Sequence, residues 1–102
     1  MDLLSKIKRL ALSRRIVFTA KAENEMDIDG LSKSDVIESI VSADRIDKTI
    51  RSTSERRSSR RELLYVLKGL TFSNVLVYTK GKIAKGPESD ILYILISSKR
   101  AY

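Results

Sequence analysis

Residues 75–83 read VLVYTKGKI, and how this stretch folds decides what kind of molecule the chain makes. Val75 to Thr79 is rich in β-branched and aromatic side chains, which predicts a strand. Tyr78, Lys80 and Lys82 stand two residues apart, so in a strand all three project from one face. A phenol and two ammonium groups in a row do not make a core. That face is either solvated or turned toward a polyanion. Three further runs lie around it. Leu63 to Leu67 is nearly all apolar, Ile91 to Ile96 is continuously apolar, and Arg45 to Ser52 places Ile46 and Ile50 on one side. Such runs suit strands covered on one or both faces. Thr71–Asn74 and Gly86–Ser89 supply turns, the second through a Gly-Pro pair.

Upstream of these strands the period changes. Leu3, Leu4, Ile7, Leu10 and Ala11 recur at helical spacing, which predicts an amphipathic helix from residue 2 to about 14 with Lys6, Lys8, Arg9 and Arg14 mostly outside. Ile16, Val17 and Phe18 make a short strand or an apolar staple before a helix capped at Thr19 and ended by Gly30. Ser32, with Asp35 three residues on, starts a third helix over Lys33–Ser42, whose core face is Val36, Ile37, Ile40 and Val41. Helices first and strands afterward predict an α+β domain, with the N-terminal helices on one face of a mainly antiparallel sheet of about four strands. The other face is then free. All 102 residues form one domain: a basic amphipathic helix over 1–15 and an α+β core over 18–101.

The chain has no cysteine and no histidine. That removes disulfides, Cys/His zinc sites, thiol nucleophiles and the Ser/His/Asp triad together. Asp27, Asp29 and Asp35 are close enough in sequence to suggest a magnesium site. Helix capping and a helix end explain them better, and the spacing is not that of an EF-hand. No metal and no cofactor are therefore expected. The apolar runs are far shorter than the roughly 20 residues a bilayer requires, and the N-terminus lacks a secretory apolar stretch. The expectation is a cytoplasmic chain with no membrane segment.

Net charge is +7, unevenly spread. Residues 1–15 carry five cations and one anion, residues 16–47 three cations and eight anions, and residues 48–102 twelve cations and four anions, giving +4, −5 and +8. A basic N-terminal helix and a basic C-terminal half thus flank an acidic middle, which fits a polyanion on one surface and a basic partner on another. The plainer reading is a solvated charged surface that keeps the chain soluble. Arg56, Arg57, Arg60 and Arg61 crowd the biased segment STSERRSSRR at 52–61. Lys80, Lys82 and Lys85 follow the 75–83 strand, and Lys99 and Arg100 follow the last apolar run. Arginine donates two parallel hydrogen bonds to phosphate and lysine offers a mobile point charge. Tyr78 adds a flat surface on which an unpaired base can stack, whereas Tyr93 fits a core or edge aromatic better. RNA can be cleaved without metal when its 2′-OH attacks the neighbouring phosphate inside a cation cluster that holds the developing charge.

GLSKSDVIESI at 30–40, VLVYTKGKI at 75–83 and ILYILISSKRA at 91–101 together resemble the MqsR-type mRNA interferase toxins and a related domain family of unassigned function, over about residues 18–101. The resemblance implies a RelE-like α+β fold and a cofactor-independent endoribonuclease acting on messenger RNA, free or on the ribosome. It also implies a cognate antitoxin, often of zinc-ribbon and helix-turn-helix type. Tyr78 matches the tyrosine of the V-Y-x-K strand, Lys80 its lysine, and Lys99 the lysine after the last strand. These three are the catalytic candidates, with Lys82 and the Arg56–Arg61 cluster as RNA-binding candidates. The chain departs from the pattern at Glu38, where the MqsR-type toxin has a lysine in the third helix. It departs again at Lys21 and Glu25, where the related family has histidine and arginine. The alternative reading is a non-catalytic RNA- or ribosome-binding module.

Overall fold

Short polar side chains start each helix by accepting N–H groups that have no intrahelical partner. In the computed structural model, which describes residues 2–51 and 62–102, Asp2 accepts the Ser5 N–H at 2.8 Å and opens α1 (Leu3–Leu12). Thr19 accepts from Ala22 and opens α2 (Ala20–Asp29). Ser32 and Asp35 form a reciprocal capping box at the start of α3 (Lys33–Ser42). Gly30 ends α2 with φ at +70°, a conformation glycine adopts without steric cost. At the end of α1 the left-handed position falls instead on Arg14, with φ at +63°.

Five strands form one sheet in the order β1-β5-β4-β3-β2: β1 (Ile16–Phe18), β2 (Lys48–Arg51), β3 (Leu63–Leu70), β4 (Leu76–Lys85) and β5 (Ile91–Arg100). The count corrects the expected four. Ile16–Phe18 is a true strand, pairing parallel with Tyr93–Leu95, while every other neighbour is antiparallel. β4 and β5 also run well past their apolar stretches, through Lys85 and Arg100. Ladder hydrogen bonds are made by backbone, so a strand continues through charged residues wherever its neighbour does.

The three helices cover one face. Ile7, Leu10, Val36 and Ile40 pack with Tyr65, Leu67, Val77, Tyr93 and Leu95 of the sheet in a single cluster. Fully burying side chains of this size stabilises by about 1.5–3 kcal/mol each. Two glycines permit the close packing. A Cβ at Gly69 would overlap the Ser39 carbonyl of α3, and one at Gly81 would lie 2.6 Å from Cζ of Tyr93. Tyr93 is wholly buried, and burial, with Tyr65 adding to it, pushes its phenol above the ordinary range.

β1 ends at Phe18, leaving the last part of β5 without a strand beside it. There α2 runs along the edge: Glu25 accepts the Ser98 N–H at 3.0 Å and Asp29 accepts the Arg100 N–H at 2.8 Å. Glu25 and Asp29 of α2 thus serve a backbone role, while Glu23 pairs with Lys33 at 3.4 Å. Among the described residues no helix is long and apolar enough to cross a membrane, and no three carboxylates gather as a metal site.

Candidate functional site

The open face of the sheet carries the cations, and the pairing register sets them in rows. In the first row Tyr78 of β4 stands between Lys68 of β3 and Lys99 of β5. In the second, Val66 stands between Lys48 of β2 and Lys80 of β4, and Lys80 in turn faces Ser97. In the third, Lys82 pairs with Ile94, which pairs with Val17 of β1. Strands lie about 4.8 Å apart, so Lys68 and Lys99 leave the sheet roughly 10 Å from each other with the tyrosine midway. The Lys99 ammonium lies 5.5 Å from the centre of the Tyr78 ring, within reach of a cation–π attraction.

Lys99 reaches this face because of a break in β5. Tyr93 and Leu95 point into the core, and unbroken alternation would send Lys99 after them. Between Lys80 and Gly81 the register shifts by one residue, so that Gly81 faces Leu95 while Lys80 faces Ser97. This β-bulge reverses the alternation. Ser98 then turns inward, fully buried opposite Thr79, and Lys99 turns outward opposite Tyr78.

The face is not uniformly basic. Val17, Leu92, Ile94 and Ile96 make an apolar strip along its β1–β5 side, with Val17 exposed and the other three half-buried. Val66 is only 2% exposed although no helix covers it. Its cross-strand neighbours are Lys48 and Lys80, and lysine is suited to that place because its alkyl stem can lie on apolar surface while its ammonium stays in water. Among the described residues, two lysines of this face have carboxylate partners: Lys82 with Glu62 at 2.9 Å and Lys68 with Asp47 at 3.8 Å.

Tyr78, Lys80, Lys82 and Lys99, named from sequence, therefore share one face, and Tyr78 and Lys99 touch. Arg56, Arg57, Arg60 and Arg61 lie outside the described residues. Sequence reasoning missed Lys68 and Lys48. Alternation in LYVLKGL marks Lys68 as facing away from Leu67, but only the register puts it beside Tyr78. Glu38 and Glu25, the departures noted above, both hold backbone: Glu38 accepts the Phe72 N–H at 2.9 Å, and Glu25 accepts from Ser97 Oγ, Ser98 N and Lys21 Nζ. Burial raises the Glu25 carboxyl and these donors, Lys21 first, more than offset it, so the group titrates below its ordinary range. Comparison of the chain with protein-family models, curated proteins and solved structures finds no match, so the meaning of this lysine face rests on its own residues.

Proposed function

We propose that the open face binds single-stranded RNA and cleaves it without a metal, as an mRNA interferase of RelE-like type held in check by a cognate antitoxin. The observation that carries this reading is the row Lys68–Tyr78–Lys99, a phenol between two ammonium groups on a face no helix covers. In the reaction the RNA 2′-OH loses its proton and attacks the adjacent phosphorus. A P–O2′ bond forms, the P–O5′ bond breaks, and the leaving 5′-oxygen takes up a proton. The products are a 2′,3′-cyclic phosphate and a 5′-hydroxyl. Lys99 and Tyr78 are assigned to proton transfer and to the charge on the phosphorane, Lys80 and Lys82 to holding the flanking phosphates, and the Arg56–Arg61 segment to gripping the strand. The apolar strip of Ile94 and Ile96 fits unpaired bases rather than a closed duplex.

The test is cleavage of a messenger RNA in the presence of chelator by wild type, Lys99→Ala and Tyr78→Phe. A cyclic-phosphate product from wild type, reduced at least tenfold in each variant, is expected. Undiminished cutting by both variants would reject the site. The second reading, a module that binds RNA or the ribosome without cutting it, is favoured by Lys82 already being paired with Glu62 and by glutamates standing where the resembled families carry cations. It expects the same salt-sensitive affinity and no cyclic phosphate.

A further inference from the structure

The sheet has an unpaired edge on its other side from β2, and the surface around it has a definite chemistry. Thr19 N–H donates to Leu95 and Tyr93 N–H donates to Arg15, so the odd-numbered residues of β1 bond to β5. In a strand the intervening residues point their backbone groups the opposite way. The N–H and C=O of Ile16 and Phe18 therefore face outward, and among the described residues they have no backbone partner. Their side chains floor a groove of about 440 Å³ between α1 and α3, walled by Leu12 and Ile37 and rimmed by Arg14 and Lys33. Leu12 is 63% exposed at its lip. Glu38 also lines the groove, but its carboxylate is committed to Phe72. Beyond the lip Lys8 and Arg9 border a second hollow that shares Leu12. Neither they nor Arg14 has a carboxylate within 4.0 Å among the described residues.

We infer that this edge is a docking site for an extended segment of a partner protein, one that adds a strand to β1, sets an apolar side chain in the groove and carries carboxylates toward Lys8, Arg9 and Arg14. Strand addition draws its affinity from backbone hydrogen bonds and its selectivity from side-chain pockets. The cations select the occupant. A second copy of this chain pairing antiparallel through β1 would set Ile16 of each copy opposite Phe18 of the other and so bring Arg14 of one copy toward Lys33 of the other, which like-charge repulsion opposes. An acidic, apolar strand from another chain meets no such penalty. The groove lies on the helix side of the sheet and the lysine rows on the open side, so the site stands independently of the RNA reading.

The test uses a random dodecapeptide library displayed on phage and panned over the full chain. Enriched peptides should alternate apolar residues with Asp or Glu. As synthetic peptides they should slow deuterium exchange at the Ile16 and Phe18 amides, and they should bind about tenfold or more weakly to Leu12→Glu and to Arg14→Glu. Both changes are at exposed positions, and far-UV circular dichroism checks that each variant is folded. Recovery of no peptides, of peptides that protect the amides beside Tyr78 and Lys99 instead, or of peptides that bind both variants as well as wild type would overturn the assignment. So would a loss of RNA affinity in Arg14→Glu as large as that in Lys99→Ala, which would assign the α1 cations to nucleic acid.

Discussion

The two faces of the sheet are built from the same strands and obey opposite rules. On the helix side, Leu95, Leu67 and Val77 are sealed, two glycines are required for clearance, and Tyr93 fills the space above one of them. On the open side, lysines alternate with aliphatic residues that, apart from the buried Val66, stay partly exposed, and no strand glycine is required for clearance. Stability therefore resides on one face while charge is gathered on the other, and single substitutions should separate the two.

The largest separation is expected between neighbours. Leu95→Ala should destabilise by about 2–5 kcal/mol, whereas Ile94→Ala, one residue away on the open face, should cost about 1 kcal/mol, both read from urea unfolding midpoints. Equal losses would mean that the open face is covered in solution. Next in size is Gly81→Ala, expected to cost about 1–3 kcal/mol because the new methyl meets the Tyr93 ring. Tyr93→Phe should cost almost nothing, since its buried hydroxyl has no hydrogen-bond partner among the described residues.

Acid should expose the edge contact made by α2. The Glu25 carboxyl is held below its ordinary range, so its stabilisation is complete above about pH 4.5 and is lost as pH falls through the lower folded-state value. Glu25→Gln should accordingly be less stable than wild type near neutrality and converge with it once pH has fallen through the lowered folded-state value. A gap that stays constant with pH would place the contribution elsewhere. The smallest stability effects belong to the open face: Lys68→Ala and Lys99→Ala should each shift stability by less than about 0.5 kcal/mol. Lys99→Ala should nevertheless lower the slope of log affinity for single-stranded RNA against log salt by about 0.7, and Lys68→Ala by less, because Asp47 stands 3.8 Å from that ammonium. Lys82→Ala should lower it less, because Glu62 already neutralises that ammonium.

Much of this arrangement was legible in the sequence because it depends on local chemistry. Thr19, Gly30 and the Ser32–Asp35 pair mark helix ends through short-range hydrogen bonds, and the expected Lys33–Ser42 helix is the one observed. The spacing of Tyr78, Lys80 and Lys82 gave their common face. What depended on pairing was not legible. Nothing local tells Ile16–Phe18 that it will find a parallel partner in β5, or Lys68 that it will flank Tyr78. Lys99 is the sharpest case: simple alternation from Tyr93 places it in the core, and only the bulge at Ile96–Ser97 brings it out. The bulge in turn has no sequence mark that alternation alone would reveal. Glu25 and Asp29 read as a solvated acidic helix, and their backbone partners 71 to 73 residues away could not be inferred from composition.

The match between α2 and the edge of β5 sets a limit on itself. Four residues of helix advance about 6.0 Å and two residues of strand about 6.8 Å, so carboxylates at Glu25 and Asp29 can stand in for the missing rungs at Ser98 and Arg100 with less than 1 Å of slippage. A third such rung would fall about 1.6 Å out of step. A helix can thus impersonate a neighbouring strand for two rungs and no more. The stretch of β5 left bare when β1 stops is of that length, and an incoming chain finds no template there for fibril growth.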